Sequence, residues 1–140
     1  MDNRPIGVFD SGLGGLTVVK AIKELLPNES IVYFGDTARL PYGVKSQSLV
    51  KQYSKEIIKF LLEKNAKAVI IACNTATAMA LNSLKNEFKN IPIIGVIEPG
   101  SEKAIYETTT MKIGVIGTVA TISSGAYEKA IQQKDNRVEV

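Results

Sequence analysis

The sequence predicts an α/β fold, a mostly parallel sheet with helices on both faces. Three observations carry that prediction. Short apolar runs rich in Val and Ile recur along the chain. Between them lie longer stretches whose apolar residues fall at helical spacing. The two kinds of stretch alternate along the whole chain, the pattern of a mostly parallel sheet with helices on both faces. Right-handed crossovers would bring the carboxyl ends of all the strands to one edge.

The elements are predicted in order. Ile6-Gly7-Val8-Phe9 reads as a first strand, followed by the loop Asp10-Ser11-Gly12-Leu13-Gly14-Gly15. Leu16, Val19, Ile22 and Leu26 mark a helix that Pro27 stops. Ile31-Val32-Tyr33-Phe34 is a second strand ending at Gly35-Asp36, and residues 37–45 form a loop around Pro41-Tyr42-Gly43. Ser46 is placed to cap a long helix with the apolar face Leu49, Val50, Tyr53, Ile57, Phe60 and Leu61. Ala68-Val69-Ile70-Ile71 is a third strand. Ala72-Cys73-Asn74-Thr75 then opens a helix carrying Leu81, Leu84 and Phe88, with Asn74 or Thr75 as its cap. A fourth strand is expected over 93–97, a helix with Pro99 in its first turn to about residue 108, a fifth strand over 112–116, a helix over 121–133, and a new strand opening at 138. The nearest thing to a domain boundary is Glu98-Pro99-Gly100, which divides the chain into 1–97 and 98–140. No fixed-period repeat or low-complexity segment interrupts it.

The totals narrow the function classes. With 45% hydrophobic and 22% charged residues in 140, the composition is that of a globular protein. The net charge of +3, from 17 basic and 14 acidic residues, is dispersed: Lys20 and Lys23 on one helix, and Lys51, Lys55 and Lys59 on another, read as solvated faces rather than a nucleic-acid footprint. One cysteine excludes an internal disulfide, and the lack of histidine removes the commonest metal ligand, so no metal is expected. The opening Met1-Asp2-Asn3-Arg4-Pro5 holds no targeting segment and no run is long enough to cross a membrane, so the expected setting is the cytoplasm.

The strand ends gather the residues able to do chemistry: Asp10-Ser11, Asp36, Cys73-Asn74-Thr75, Glu98 and Thr118. Ligands of open α/β sheets bind along this edge, and helix N-termini there offer N–H donors to an anion. The only cysteine sits where a strand meets a helix, near orphan N–H groups and the positive helix end, an environment expected to lower its pKa; the bland alternative is a small buried hydrophobe. A thiol, a carboxylate and anion-binding N–H groups suit proton abstraction beside a carboxylate. Asp10, Asp36 and Thr118 could instead be caps and turns, a reading that suits Asp10 less because Gly12, Gly14 and Gly15 beside it let a ligand approach the backbone, and Pro41-Tyr42-Gly43 could be a plain surface turn or a loop reaching over the edge. A dinucleotide site fits poorly, because Thr17 stands where G-x-G-x-x-G needs its third glycine; no Walker A motif is present.

Taken together, Phe9 through Leu16, Asp36 through Pro41-Tyr42-Gly43, Ala72 through Ala78, Gly95 through Gly100, and Ile116-Gly117-Thr118 with Thr121 resemble the glutamate racemases over essentially the whole chain. The resemblance implies a fold of two similar α/β domains with the site between them, of which this chain would hold the first and the opening of the second. It implies interconversion of L- and D-glutamate without pyridoxal phosphate, metal or other cofactor, supplying D-glutamate for peptidoglycan. Two cysteines would face the substrate α-carbon from opposite sides. Cys73 would be the one that takes the proton from D-glutamate, with Asp10 beside it and near the substrate ammonium group. Ser11, Pro41, Tyr42, Gly43, Asn74 and Thr75 would bind substrate, with Thr118 and Thr121 as additional contacts. The partners implied are the small-molecule substrate glutamate and a second copy in a homodimer, with no nucleic acid and no membrane. The family's second cysteine, followed by Thr-His, has no counterpart here, so the chain is expected to be an N-terminal portion, inactive alone. The alternatives are a racemase of aspartate or a related diacid, and a non-catalytic ligand-binding module.

Overall fold

The structure, a computed structural model, describes residues 2–140; Met1 lies outside them. Four parallel strands form one sheet in the order β2-β1-β3-β4, with β1 Ile6–Asp10, β2 Ile31–Gly35, β3 Ala68–Ile71 and β4 Ile93–Gly95. β1 is central, pairing Ile6 with both Ile31 and Ala68, and all five of its residues are buried. A strand paired on both sides and covered on both faces needs the continuous apolar character of Ile6-Gly7-Val8-Phe9.

Helices cover both faces, as expected. α1 (Leu16–Leu25) lays Val18, Val19 and Ile22 on the face formed by Ile6, Val8 and Ala72. α2 (Gln47–Glu63) and α3 (Asn74–Glu87) bury the other face, where Phe9, Val69 and Ile71 meet Val50, Ile57, Leu61, Ala80 and Leu84. Full burial of each large aliphatic side chain there contributes about 1.5–3 kcal/mol. The Ser46 cap of α2 is present, its Oγ accepting from Leu49 N–H at 3.3 Å. Leu49, expected on the apolar face, stays exposed.

Four expectations change. β4 stops at Gly95, because Val96 turns helical and α4 (Ile97–Glu107) begins at once. The helix expected over 121–133 is two, α5 (Val119–Ser123) and α6 (Ala126–Lys134), separated by Gly125 at φ +61°, a conformation glycine adopts without strain. The fifth strand does not form. Residues 112–116 lack a ladder; Lys112 makes one isolated parallel bridge to Glu139, and Ile116 is 98% exposed. The tail strand expected from 138 is likewise reduced to that bridge. Strand propensity expresses packing against neighbouring strands, and here there is one contact to pack against.

Candidate active site

β1, β3 and the loops after them meet at the carboxyl edge of the sheet. Asp10 ends β1 and its side chain is buried. Its Oδ2 accepts the N–H groups of Gly12 and Gly15, both at 3.1 Å, which folds the loop back over the strand end. Oδ1 receives no hydrogen bond among the described residues and remains available to a cation. Tyr33 on β2 fixes the same loop by donating to the Gly12 carbonyl at 2.8 Å. The segment after β3 is tied to β1 by Ala72 N–H to Phe9 O at 2.8 Å, so Cys73 emerges beside Asp10.

The helix cap departs from the expectation. Neither Asn74 nor Thr75 caps α3; Cys73 does, its Sγ accepting Ala76 N–H at 3.4 Å. Sγ also lies 3.6 Å from Ser11 Oγ, to which it donates. The thiol is 6% exposed. Its pKa moves opposite to the expectation: burial pushes it up, and the negative charge of Asp10 adds to that, against the opposing pull of the Ala76 N–H and the Ser11 hydroxyl. Desolvation of a would-be anion outweighs the donors around it.

Cys73 and Asp10 open into one cleft of about 360 Å³, shared with Gly14, Thr17, Val18, Ala72, Asn74, Val96 and Tyr127. Beside it, Thr75, Thr118 and Thr121 form a triangle of hydroxyls: Thr75 Oγ1 lies 2.9 Å from Thr118 Oγ1 and 3.2 Å from Thr121 Oγ1, and the last two are 3.0 Å apart. Thr118 also caps α5, accepting Thr121 N–H at 3.2 Å. Gly43, in the 3₁₀ turn Tyr42–Val44, lies against this triangle; a Cβ there would meet Thr118 Cβ at 2.6 Å. Glycine is therefore required by close approach.

Two predicted residues have another role. The Tyr42 ring does not reach over the edge. It is 1% exposed, packs against Tyr53, and donates its hydroxyl to Asp36 Oδ2. Burial and the Asp36 charge hold this phenol well above its ordinary pKa. Asp36 is correspondingly a buried anchor, paired also with Arg39 Nε at 2.7 Å. Arg39 reaches on to Glu56 and stacks over Tyr53 at 4.2 Å. This cluster holds the turn that carries Gly43. Pro41, exposed and joined to Leu40 by a cis peptide, begins that turn. Glu98 lies in the first turn of α4, exposed, 3.5 Å from Lys134 Nζ, and does not line the cleft. Tyr127 was not singled out by sequence. Its hydroxyl donates to Asn74 Oδ1 at 2.6 Å across 53 positions, a separation that no local pattern reveals. Among the described residues no group of three or more His, Cys, Asp or Glu could hold a metal ion, and no helix is long and apolar enough to cross a membrane.

Comparison with known proteins adds an independent line. The Asp/Glu/hydantoin racemase family model matches residues 6–140. The chain is 54% identical over 140 residues to glutamate racemase of Lactococcus lactis subsp. cremoris strain MG1363, covering 100% of this chain and 51% of that protein. It is 54% identical over 128 residues to glutamate racemase of Aquifex aeolicus, covering 91% and 50%. Among solved structures, a glutamate racemase isoform of Bacillus anthracis superposes with a TM-score of 0.95 at 48% identity, covering 100% of this chain and 52% of that one. The Francisella tularensis glutamate racemase in complex with D-glutamate gives 0.90 at 48% identity, with the same coverage. The chain thus spans about half the length of the curated relatives it matches.

Proposed function

The chain belongs to the Asp/Glu/hydantoin racemase family, and from that premise we propose that the protein carrying it interconverts L- and D-glutamate, with Cys73 as one of two proton-transferring thiols. The observation that supports this most is the cleft into which the Cys73 thiol and the Asp10 carboxylate both open. The α-proton of an amino acid is weakly acidic, so a base must sit close and the carbanion must be stabilised as it forms.

The residues divide the work. The free Oδ1 of Asp10 takes the substrate ammonium group. That ammonium, held beside Sγ, favours the thiolate and opposes the upward push that burial gives Cys73. Cys73 then removes the α-proton of D-glutamate. Ser11 donates to or accepts from the sulfur as its charge changes. Asn74, the triangle of Thr75, Thr118 and Thr121, and the backbone of the turn Pro41-Tyr42-Gly43 hold the carboxylates. The Tyr42 side chain supports that turn from below. The proton on the opposite face is handled by a thiol outside these 140 residues. No cofactor takes part. We place the product in cell-wall synthesis in the cytoplasm and the working form as a homodimer. It binds neither nucleic acid nor membrane.

The test pairs racemisation with α-proton exchange in heavy water. The intact protein is expected to turn over glutamate in preference to aspartate, and Cys73→Ser is expected to abolish turnover from the D-enantiomer. The 140-residue chain by itself is expected to do neither. Turnover of L- to D-glutamate by that chain alone, or glutamate binding with no deuterium wash-in by the intact protein, refutes the proposal.

A further inference from the structure

Asn74 and Tyr127 both line the cleft shared by Cys73 and Asp10. Asn74 is the first residue of α3, directly after the thiol, whereas Tyr127 lies in the first turn of α6. The Tyr127 hydroxyl donates to Asn74 Oδ1 at 2.6 Å. Asn74 Nδ2 makes no hydrogen bond among the described residues. Half of the amide is thus engaged and the other half is free. The tyrosine is itself held in place: it lies against α4, where a Cβ on Gly100 would come 3.4 Å from its hydroxyl. Burial keeps its pKa above the ordinary phenol value, so it stays a protonated donor at neutral pH.

An asparagine amide has two faces of opposite character, an acceptor oxygen and a two-proton donor, and a half-turn of its last torsion exchanges them. For a carboxylate in the cleft the two orientations are not equivalent, since one offers it N–H groups and the other a second partial negative charge. A phenol O–H that holds the oxygen settles the choice. We propose that Tyr127 is a positioning residue, whose hydroxyl turns the Asn74 amide so that its Nδ2–H groups are the ones offered to the carboxylate of the bound amino acid. This rests on the reading of the site as a glutamate site. Tyr127 does not touch the reacting atoms; it acts through Asn74, and its loss weakens binding and leaves proton transfer intact.

The experiment is a double-substitution cycle in the intact protein. Tyr127→Phe keeps the ring and removes only the hydroxyl. It is expected to raise KM for glutamate about 3–10-fold, the range of one ordinary hydrogen bond, with kcat within about twofold and the thermal midpoint unchanged. In an Asn74→Ala background the same substitution is expected to add nothing. An unchanged KM overturns the proposal. So does an equal KM rise in the Asn74→Ala background, or a joint fall in kcat and thermal midpoint, which would mark a packing role. Failure of the unsubstituted protein to turn over glutamate would sink the proposed function instead. The Asn74 side-chain amide resonances then decide the orientation separately: they shift in Tyr127→Phe if the bond holds, and a static pair overturns the claim.

Discussion

Gly43→Ala probes the contact on which the closed edge of the site depends. The new methyl carbon would lie 2.6 Å from Thr118 Cβ, 2.7 Å from its Cγ2 and 3.0 Å from its Oγ1. Carbon atoms in contact rest at about 3.5–4.0 Å, so the 3₁₀ turn and the start of α5 must part by roughly 1 Å. Overpacking of this kind costs about 1–3 kcal/mol. At roughly 2–4 °C per kcal/mol for a protein of this size or larger, the thermal midpoint should fall by about 2–12 °C. The same displacement stretches the 2.9 Å Thr75–Thr118 contact out of hydrogen-bond range, so glutamate KM should rise alongside. Trimming Thr118 to serine or alanine gives only partial relief, because Cγ2 goes but Cβ, the nearest atom, stays. Thr118→Gly removes that atom at the cost of the cap and of the hydroxyl contacts to Thr75 and Thr121, and the double variant should be more stable than Gly43→Ala combined with Thr118→Ser. Thermal denaturation of the parent, of Gly43→Ala, and of Gly43→Ala combined with Thr118→Gly or Thr118→Ser decides it. A Gly43→Ala variant as stable as the parent, or a clash relieved equally by Thr118→Ser, would refute the reasoning.

Two further outcomes follow from the same geometry. Asp10→Asn can keep both loop hydrogen bonds, since Gly12 and Gly15 donate to a single oxygen, but it removes a negative charge that opposes ionisation of Cys73. The pH midpoint of Cys73 alkylation should therefore move down; a midpoint that stays put or rises would show the carboxylate does not act on the sulfur. Tyr42→Phe strips a donor from Asp36, which is buried and left with Arg39, and should lower stability by about 1–3 kcal/mol in denaturant titrations. A change below about 0.5 kcal/mol would show that this hydrogen bond does not anchor the turn.

The four sheet strands were legible because their apolar runs are short, β-branched and bounded by turn residues, and because central strands need that pattern on both sides. Residues 112–116 carry the same pattern with only the single bridge to Glu139 beside them, and a run without a ladder cannot express its propensity. In the site, Asp10 and Cys73 came together because β1 and β3 are paired neighbours with their carboxyl ends at one edge, whereas Thr118 and Thr121 are carried to Thr75 by α5, which follows no strand. Side-chain direction was not legible. Tyr42 looks equally suited to face a ligand or a core, and the buried carboxylate of Asp36, six positions away, decides for the core. The thiol lay where donors were expected, but the sign of its pKa shift depends on how deeply packing seals it, which Phe9, Ala76 and their neighbours determine together. Tyr127 reaches its partner through the placement of α6 against α4, a tertiary fact with no local signature.

The Thr75, Thr118 and Thr121 hydroxyls hold three protons for the three edges of their triangle, so the group is self-sufficient as it stands. An arriving acceptor can be served only if one O–H swings outward and an edge opens, leaving the total number of bonds level. Such a corner discriminates by geometry rather than by strength, welcoming an oxygen that fits without rewarding one that merely approaches. An edge opened in this way would loosen the tie between α3 and α5.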